Sequence, residues 1–502
     1  MLQHRDPTSR IDLAAFAAAG ITELEAFTDA DAAVARIGKI YGKGVAILRA
    51  AFDRFVAGEA GSRLDPVSAF YPFLGVHITP DVLNFDARLS YGILHDPGIY
   101  GTTLTRPALF GDYYRRQIGM LLEHHGVPVV VGISDRRMPL PFVIEEATAD
   151  IRADRVPVLQ AVFPLPDMSL IDDAIANGTF RSRPGQPKPL ALFTAGRVDY
   201  SLQRLHHYTA TAPEHFQRFV LLTNYQRYVE HFVDYAEEQI AKGEGYDSFV
   251  EPGDLVTPAG AREPQSGRRP RHLPQMPAYH LTRPDRTGIS MVNIGIGPSN
   301  ARTITDHLAV LRPHCWLMLG HCAGLRRSQQ LGDYVLAHAY AREDHVLDHD
   351  LPLNVAVPPI AEVQVALQQA VVNVTGLKGP DIKTRMRTGT VASTDNRNWE
   401  LRYDELFERL NQQRAIAVDM ESATVAANGF RFRVPYGTLL CVSDKPLHGE
   451  LKLRGMANAF YRERINQHLK IGLEAVRILR DEIGPDQLHS RKLRSFDEPA
   501  FR

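Results

Sequence analysis

The sequence is short of cysteine, of net charge and of long apolar runs. Only three of the 502 residues are cysteine and no two form a C-x-x-C pair, so neither a disulfide framework nor a zinc knuckle is expected. Lys and Arg number 57 against 58 Asp and Glu, a balance that does not favour nucleic acid or an anionic membrane as a partner. No apolar run reaches the roughly 20 residues that cross a bilayer, and the start, MLQHRDPTSR, lacks the charged-then-apolar pattern of a secretion signal. We therefore expect a cytoplasmic protein.

The length and punctuation of the chain predict two large units. At 502 residues it exceeds what one core of ordinary size accommodates. In the first unit, predicted at 1–182, VPVVVGIS and VPVLQAVFPL are apolar runs typical of buried strands, and GDYYRRQIGMLLEHHG has a helical pattern. Strands that alternate with helices indicate an α/β fold. The Pro-rich stretch RSRPGQPKP, residues 181–189, separates this unit from the second, predicted at 183–502.

The second unit contains a series of strand and turn patterns, some of them followed by a helical pattern. These are RFVLLTNYQRYVEHFVDYAEEQI, ISMVNIGIGPSNARTITDHLAVLRP, CWLMLGHCAGL and YGTLLCVSDKP. In open α/β sheets ligands bind at the carboxyl ends of strands, where these turns lie. The candidates for one crevice are therefore Asn224, Gly295, Gly297, Gly320, Gly324, Ser443 and Asp444. Residues 258–286, rich in Pro and Arg, are predicted to form a long surface loop.

Three short motifs have a simpler explanation than a chemical one. GIGPSN has two of the three glycines of a dinucleotide fingerprint, which is a weak match. GHCAG places Cys322 where a nucleophile elbow has its serine, but a buried thiol in a tight turn is the favoured interpretation. His345 and His349 are four residues apart, but no H-E-x-x-H glutamate accompanies them, so a solvated turn is favoured and no metal site is predicted.

Two carboxylates near the end of the chain are harder to explain structurally. Glu421 begins an apolar helical pattern in VDMESATVAANG, with no Lys or Arg beside it. A buried, unpaired carboxylate costs several kcal/mol, so this side chain needs a hydrogen-bond partner or a ligand. Asp444 ends the apolar strand YGTLLCVSD. The residues alone leave two interpretations open: a shared pocket, or a helix-terminal charge and an N-cap.

The motifs GIGPSNA, GHCAGL, VDMES and CVSDKP, in this order, resemble those of the purine nucleoside phosphorylase and nucleoside hydrolase superfamily. Longer stretches are similar to its bacterial AMP-hydrolysing branch: RVDYSLQRLHHYTATAPEHFQRFVLLTNYQRYV, LPQMPAYHL, RNWELR and, in the first unit, DARLSYGILHDPGIYGTTLTRPALFGDYY. The resemblance implies a three-layer αβα catalytic domain with a mixed central sheet, after a separate smaller α/β (α+β) domain that regulates or oligomerises.

The same resemblance implies hydrolysis of AMP to adenine and ribose 5-phosphate. A phosphorolytic nucleoside phosphorylase and a non-catalytic AMP-sensing protein are the alternatives. The phosphorylases have Gly-Asp-Pro where this chain has Thr223-Asn224-Tyr225, which favours water over inorganic phosphate as the nucleophile. No cofactor is implied for the chemistry, and no metal. A MgATP activator, a phosphate effector and a trimeric or hexameric assembly follow from the resemblance.

The resemblance also assigns roles to residues of the site. Asp444 is the general acid that protonates or hydrogen-bonds the purine, with Ser443 orienting it. Glu421 stays ionised and accepts hydrogen bonds from the ribose 2′ and 3′ hydroxyls, and Met420 packs beneath the sugar.

The remaining assignments concern the phosphate and the base. Asn224 and Arg227 are expected to contact the anionic 5′ group, in a region where Gly320 and His321 also lie. The other three are Asn398 and Trp399, expected around the base, and Arg454, expected to contact Asp444 or the substrate. Trp399 has the alternative of a core position.

Overall fold

The computed structural model describes residues 12–58, 66–84, 86, 88–144, 155–450, 458–488 and 493–502, with only the backbone at 458–463. The chain divides into two compact units, one of residues 1–203 with 495–502 and one of residues 204–494. The boundary predicted from the Pro-rich stretch lies earlier, between 182 and 183.

The first unit is built on a five-stranded sheet. Its strands are β1 (Thr22–Phe27), β2 (Phe70–Ile78), β3 (Gly98–Thr103), β4 (Val129–Arg137) and β5 (Lys188–Pro189). They lie in the order β1-β4-β2-β3-β5, with β3 and β5 parallel and the other pairs antiparallel. The helices are α1 (Leu13–Ala18), α2 (Ala30–Val56), α3 (Pro107–His125), α4 (Leu140–Val143) and α5 (Val156–Val162).

The longest helix of this unit, α2, forms for reasons visible in its sequence. Asp29 caps it by accepting a hydrogen bond from the backbone N–H of Ala32 at 2.8 Å. Apolar side chains then recur every three or four residues, so that Ile37, Ile40 and Leu48 share one buried face. This face covers the sheet, since α2 packs on β2 and β4.

The run VPVLQAVFPL, predicted as a buried strand, begins with the helix α5 instead. Pro157 lies in the first turn of this helix, where a missing N–H has no cost, whereas in a central strand it would interrupt the hydrogen-bond ladder. Val156 and Val158 are 39% and 46% exposed, which a central strand does not allow. The prediction was wrong because a short apolar run does not distinguish strand from helix. The run VPVVVGIS does contribute to β4, and GDYYRRQIGMLLEHHG lies in α3.

The second unit contains a ten-stranded mixed sheet. Its strands are β6 (Phe219–Thr223), β7 (Ser248–Glu251), β8 (Leu255–Pro258), β9 (Ala278–Thr282), β10 (Ile289–Asn293), β11 (Cys315–Gly324), β12 (Tyr334–Glu343), β13 (Met386–Thr394), β14 (Ala415–Asp419) and β15 (Tyr436–Asp444). The helices after α6 (Ala195–Thr209) are α7 (Gln226–Lys242), α8 (Pro298–Leu308), α9 (Ala361–Thr375), α10 (Tyr403–Gln412), α11 (Ser422–Phe432) and α12 (Asn458–Arg477). The helix α12 packs on α7 and α9, whereas α8 packs on α11.

Four parallel strands form the middle of this sheet. The full order is β14-β13-β12-β15-β11-β6-β10-β9-β7-β8, and β15, β11, β6 and β10 run in the same direction. Their carboxyl ends therefore lie at one edge, as the strand and turn patterns predicted. The mixed sheet and the separate first unit confirm the predicted α/β fold. The prediction of a loop over residues 258–286 is wrong in part, because the strand β9 lies within this range.

An additional pairing closes part of the sheet into a ring. Besides pairing with β15, β11 pairs with β14 in antiparallel fashion, so that β11, β15, β12, β13 and β14 form a closed circuit. Each of the five strands contributes to one buried apolar cluster: Cys322, Val335, Ala337, Val391, Ala417, Leu440 and Val442. In the part of the chain that the structure describes, no helix combines the length and apolarity needed to cross a membrane.

Candidate active site

Glu421 is the centre of the candidate site. It lies between β14 and α11 and is fully buried. Its Oε2 accepts a hydrogen bond from Asn224 Nδ2 at 2.8 Å, and its Oε1 accepts one from the backbone N–H of Gly297 at 2.6 Å. Asn224 follows β6, and Gly297 precedes α8. Three separate segments of the second unit therefore meet at one carboxylate.

The surroundings of Glu421 affect its protonation in opposite directions. Burial, followed by the nearby charge of Asp419, raises the pKa of Glu421 to about 8. The N–H donors of Gly297 and Asn224 lower the pKa, because they favour the ionised carboxylate. The sequence interpretation had Glu421 ionised; with a pKa of about 8, the protonated form is the major one at neutral pH.

Asp419 completes the start of α11. Its Oδ2 accepts the backbone N–H of Ser422 at 2.9 Å and also the Ser422 hydroxyl, and its Oδ1 accepts the Ser393 hydroxyl. Burial raises the pKa of this carboxyl, while these donors lower it. Asp419 was not among the site residues predicted from the sequence. Its position three residues before Ser422, the first residue of α11, is a helix-start signal that could have identified it, although the N-cap residue is Glu421.

Asp444 ends β15 next to a bulge. Cys322 and Ala323 of β11 pair with Val442 and Asp444, so Ser443 is an extra residue in β15. The Ser443 hydroxyl lies 2.6 Å from Asp444 Oδ1, to which it donates, and 3.4 Å from the carbonyl oxygen of Cys322. A bulge changes the direction of the adjacent Asp444 side chain relative to the regular pleat.

Gly320 and His321 lie within β11. A Cβ at Gly320 would be 3.2 Å from Asn224 Oδ1, so the absence of a side chain makes room for that amide. The His321 ring lies 4.9 Å from the Tyr225 ring and 5.6 Å from the Tyr228 ring, between centroids. Next in the strand, Cys322 is buried, and burial raises the pKa of its thiol well above the usual value, which disfavours a nucleophilic thiolate. The thiol lies in a strand rather than in the tight turn expected.

The two residues expected around the base differ in exposure. Trp399 is 5% exposed and packs in an apolar cluster with Ala323, Leu325 and Val418, in agreement with the core alternative. Asn398 is exposed, and its backbone N–H donates to Asn396 Oδ1 at 3.0 Å.

Three further predicted residues lie in different surroundings. Met420 is half-buried between β14 and α11, and Arg227 is half-buried in the first turn of α7. Arg454 lies outside the described residues. The sequence interpretation gave Asn224 an anion contact, whereas in the structure its amide donates to Glu421.

The pair of histidines does not form a metal site in the described residues. His345 Nδ1 lies 2.9 Å from Asp348 Oδ2, in a turn rather than a helix. Within the residues that the structure describes, no group of three or more His, Cys, Asp or Glu side chains has a metal-binding arrangement.

Comparisons with known proteins agree with this architecture. Residues 278–477 match the family model of the phosphorylase superfamily, so the second unit contains a domain of that class. Residues 32–187 match the family model described as the bacterial AMP nucleoside phosphorylase N-terminus. The chain is 46% identical over 491 residues to the AMP nucleosidases of Escherichia coli K12 and O157:H7, covering 96% of this chain and 99% of each relative. The chain belongs to the AMP nucleosidase family.

A solved structure of similar description is that of AMP nucleosidase from Bacteroides thetaiotaomicron VPI-5482. It is 28% identical in sequence and has a TM-score of 0.41, covering 57% of this chain and 98% of the other.

Proposed function

We propose that the chain hydrolyses the N-glycosidic bond of AMP to adenine and ribose 5-phosphate, and so takes part in purine nucleotide degradation and control of the adenylate pool. The observation that carries this proposal is the 46% identity, over 96% of the chain, to relatives named AMP nucleosidase. The residue types of the site add support, because Glu421 is a buried carboxylate between β14 and α11 and Asp444 is a carboxyl group at the end of β15.

Asp444 acts on the base. The ribose passes through an oxocarbenium-like transition state as the bond to the purine breaks, and the purine leaves poorly as an anion. A carboxylic acid that protonates or hydrogen-bonds an imidazole nitrogen of the purine lowers this barrier by roughly two to four powers of ten. The Ser443 hydroxyl, 2.6 Å from Asp444 Oδ1, restricts the rotation of the carboxyl group.

Glu421 acts on the sugar. As a carboxylate it accepts hydrogen bonds from the 2′ and 3′ hydroxyls, and each of its oxygens retains acceptor capacity beyond the N–H donors of Asn224 and Gly297. Met420, half-buried beside it, packs beneath the ribose.

The phosphate and base subsites surround these two carboxylates. Arg227, in the first turn of α7, donates hydrogen bonds to the 5′ phosphate, and the N-terminus of this helix also favours an anion. His321 and Gly320 border this subsite from β11. The exposed Asn398 contacts the base. Trp399 packs behind the base subsite, within the apolar cluster.

Phosphorolysis is the second candidate, favoured by the match of residues 278–477 to the phosphorylase superfamily. A chromatographic assay with AMP, adenosine and inosine, each with and without inorganic phosphate, separates the two. Adenine and ribose 5-phosphate from AMP without phosphate are the expected products. Release of base only in the presence of phosphate would indicate a phosphorylase, and release from no substrate would favour a sensing protein.

Further parts of the proposal concern assembly and regulation. The chain forms a homo-oligomer, a trimer or hexamer, in the cytoplasm, and the first unit regulates or oligomerises the enzyme. A MgATP activator and a phosphate effector complete this allosteric control. Light scattering of the purified chain measures the assembly, and AMP kinetics with and without MgATP and phosphate measure the regulation.

A further inference from the structure

Asn224 connects the end of one strand to a carboxylate from a distant part of the chain. It directly follows β6, is half-buried, and donates from Nδ2 to Glu421 Oε2 at 2.8 Å. The backbone N–H of Gly297 donates to the other oxygen, Oε1, at 2.6 Å. Because the two donors reach different oxygens from different segments, they restrict rotation of the carboxylate about its last bond.

Gly320 leaves room for the carbonyl end of the Asn224 amide. A Cβ at Gly320 would lie 3.0 Å from Met318 Cε, 3.2 Å from Asn224 Oδ1 and 3.7 Å from Asn224 Cγ. The carbonyl end of the amide lies against β11, and the NH2 end donates to the carboxylate. Alanine at 320 is expected to displace the Met318 methyl group and the Asn224 amide by a few tenths of an ångström, and so to weaken the contact of the amide with Glu421.

An amide suits this position better than a charged group. Burial and the charge of Asp419 raise the pKa of Glu421, and the Asn224 amide is one of the groups that lower it. A neutral donor favours the ionised carboxylate without adding a further charge to the buried site that Glu421 shares with Asp419. Aspartate at 224 would do the opposite, because it would place a like charge against Glu421.

We propose that Asn224 is a positioning residue that orients the Glu421 carboxylate toward the ribose hydroxyls and thereby sets the preference of the site for ribosyl over 2′-deoxyribosyl nucleotides. The inference rests on the proposed function, since it takes AMP as the substrate and Glu421 as the acceptor of the sugar hydroxyls. A site built to hydrogen-bond a substrate hydroxyl discriminates against the analogue that lacks it. A carboxylate held in the wrong orientation loses that discrimination, while Asp444 still activates the base.

The test compares wild type, Asn224→Ala and Asn224→Asp on AMP and 2′-deoxy-AMP. Both variants are expected to reduce the ratio of kcat/KM for AMP over 2′-deoxy-AMP by about tenfold or more, because the loss falls mainly on AMP. Asn224→Asp is also expected to move the acid limb of the pH profile on AMP to higher pH, since a like charge disfavours ionised Glu421. Asn224→Ala should move the limb in the same direction by less.

Asn373 provides a matched control. Its Nδ2 donates to Glu474 Oε1 at 2.7 Å on an exposed surface, so it makes the same type of contact away from the site. Asn373→Asp is expected to keep the rate, the sugar preference and the pH profile of wild type. If Asn224→Asp does not fold, Asn224→Ala and Gly320→Ala provide the same comparison of substrates.

Two kinds of failure are distinguishable. Equal losses on AMP and 2′-deoxy-AMP, with the acid limb unmoved, would reduce Asn224 to a packing role and overturn the inference. A wild-type enzyme that releases no adenine from AMP would contradict the proposed function itself.

Discussion

Asp419 fixes the first turn of α11: its Oδ2 accepts both the backbone N–H of Ser422, at 2.9 Å, and the Ser422 hydroxyl. This arrangement places a second carboxylate two residues before Glu421, and its charge contributes to the raised pKa of Glu421. The residue that stabilises the helix therefore also opposes ionisation of its neighbour.

Asp419→Asn is expected to move the acid limb of AMP hydrolysis to lower pH, because it removes the like charge that raises the pKa of Glu421. The variant should lose about 1 kcal/mol of stability, since asparagine keeps only one oxygen for the donors at the helix start. A pH–rate profile and a urea titration measure the two effects. An acid limb at the wild-type position would indicate that ionisation of Glu421 does not limit the rate at low pH.

Glu421 itself is expected to reduce the stability of the folded chain as the pH rises. Its pKa is about 8 in the folded chain against an ordinary value of 4.5, so between these two pH values the folded state binds more protons than the unfolded state. By linkage, the free energy of unfolding falls as the pH rises through this window. Glu421→Gln removes the titration. At pH 8 this variant should therefore melt at a higher temperature than wild type, with the difference lost near pH 5.

The same variant should hydrolyse AMP more slowly by about tenfold or more, because the amide replaces the charged acceptor of the sugar hydroxyls. Glu244→Gln, an exposed substitution in the turn after α7, is the control and should change neither property. A melting difference between wild type and Glu421→Gln that does not vary with pH would contradict the linkage argument.

The sequence predicted the central strands of the second unit well, for a physical reason. Parallel strands buried on both faces are continuous apolar runs, which is why β6, β10, β11 and β15 were identifiable. The same rule failed for VPVLQAVFPL, where Pro157 favours a helix start. The closure of β14 on β11 was not predictable, because strand register depends on pairings between segments far apart in the chain.

The sequence predicted those parts of the candidate site that depend on the type of a residue and its place in a helix or strand pattern. A glutamate at the start of an apolar helix requires a partner, and this requirement distinguishes Glu421 from the other acidic residues in the sequence alone. The partner itself was not predictable: Asn224 lies 197 residues away in sequence and reaches Glu421 only because β6 and α11 meet at one edge of the sheet. The bulge at Ser443 likewise depends on the register of β15 with β11.

Asp444→Ala is expected to reduce kcat for AMP at least about a hundredfold with little change in KM, since general acid catalysis acts on the transition state more than on binding. Single-turnover release of adenine, with AMP binding measured by calorimetry, separates the two quantities. Asp395→Ala, in the exposed turn after β13, is the control and should retain the wild-type rate. A near-normal rate in Asp444→Ala would remove Asp444 from the role of acid.

Arg227→Ala tests the location of the phosphate subsite. Arg227 lies in the first turn of α7, three residues after Asn224, where a guanidinium group and the helix N-terminus both favour an anion. Loss of a charge-assisted, forked contact should weaken AMP binding by about ten- to a hundredfold. Adenosine lacks the phosphate, so its binding should be nearly unchanged. Calorimetric titration of both ligands makes the comparison, with Arg262→Ala, an exposed substitution, as the control. Equal weakening of AMP and adenosine would place the phosphate subsite elsewhere and leave Arg227 a role in holding the turn between β6 and α7.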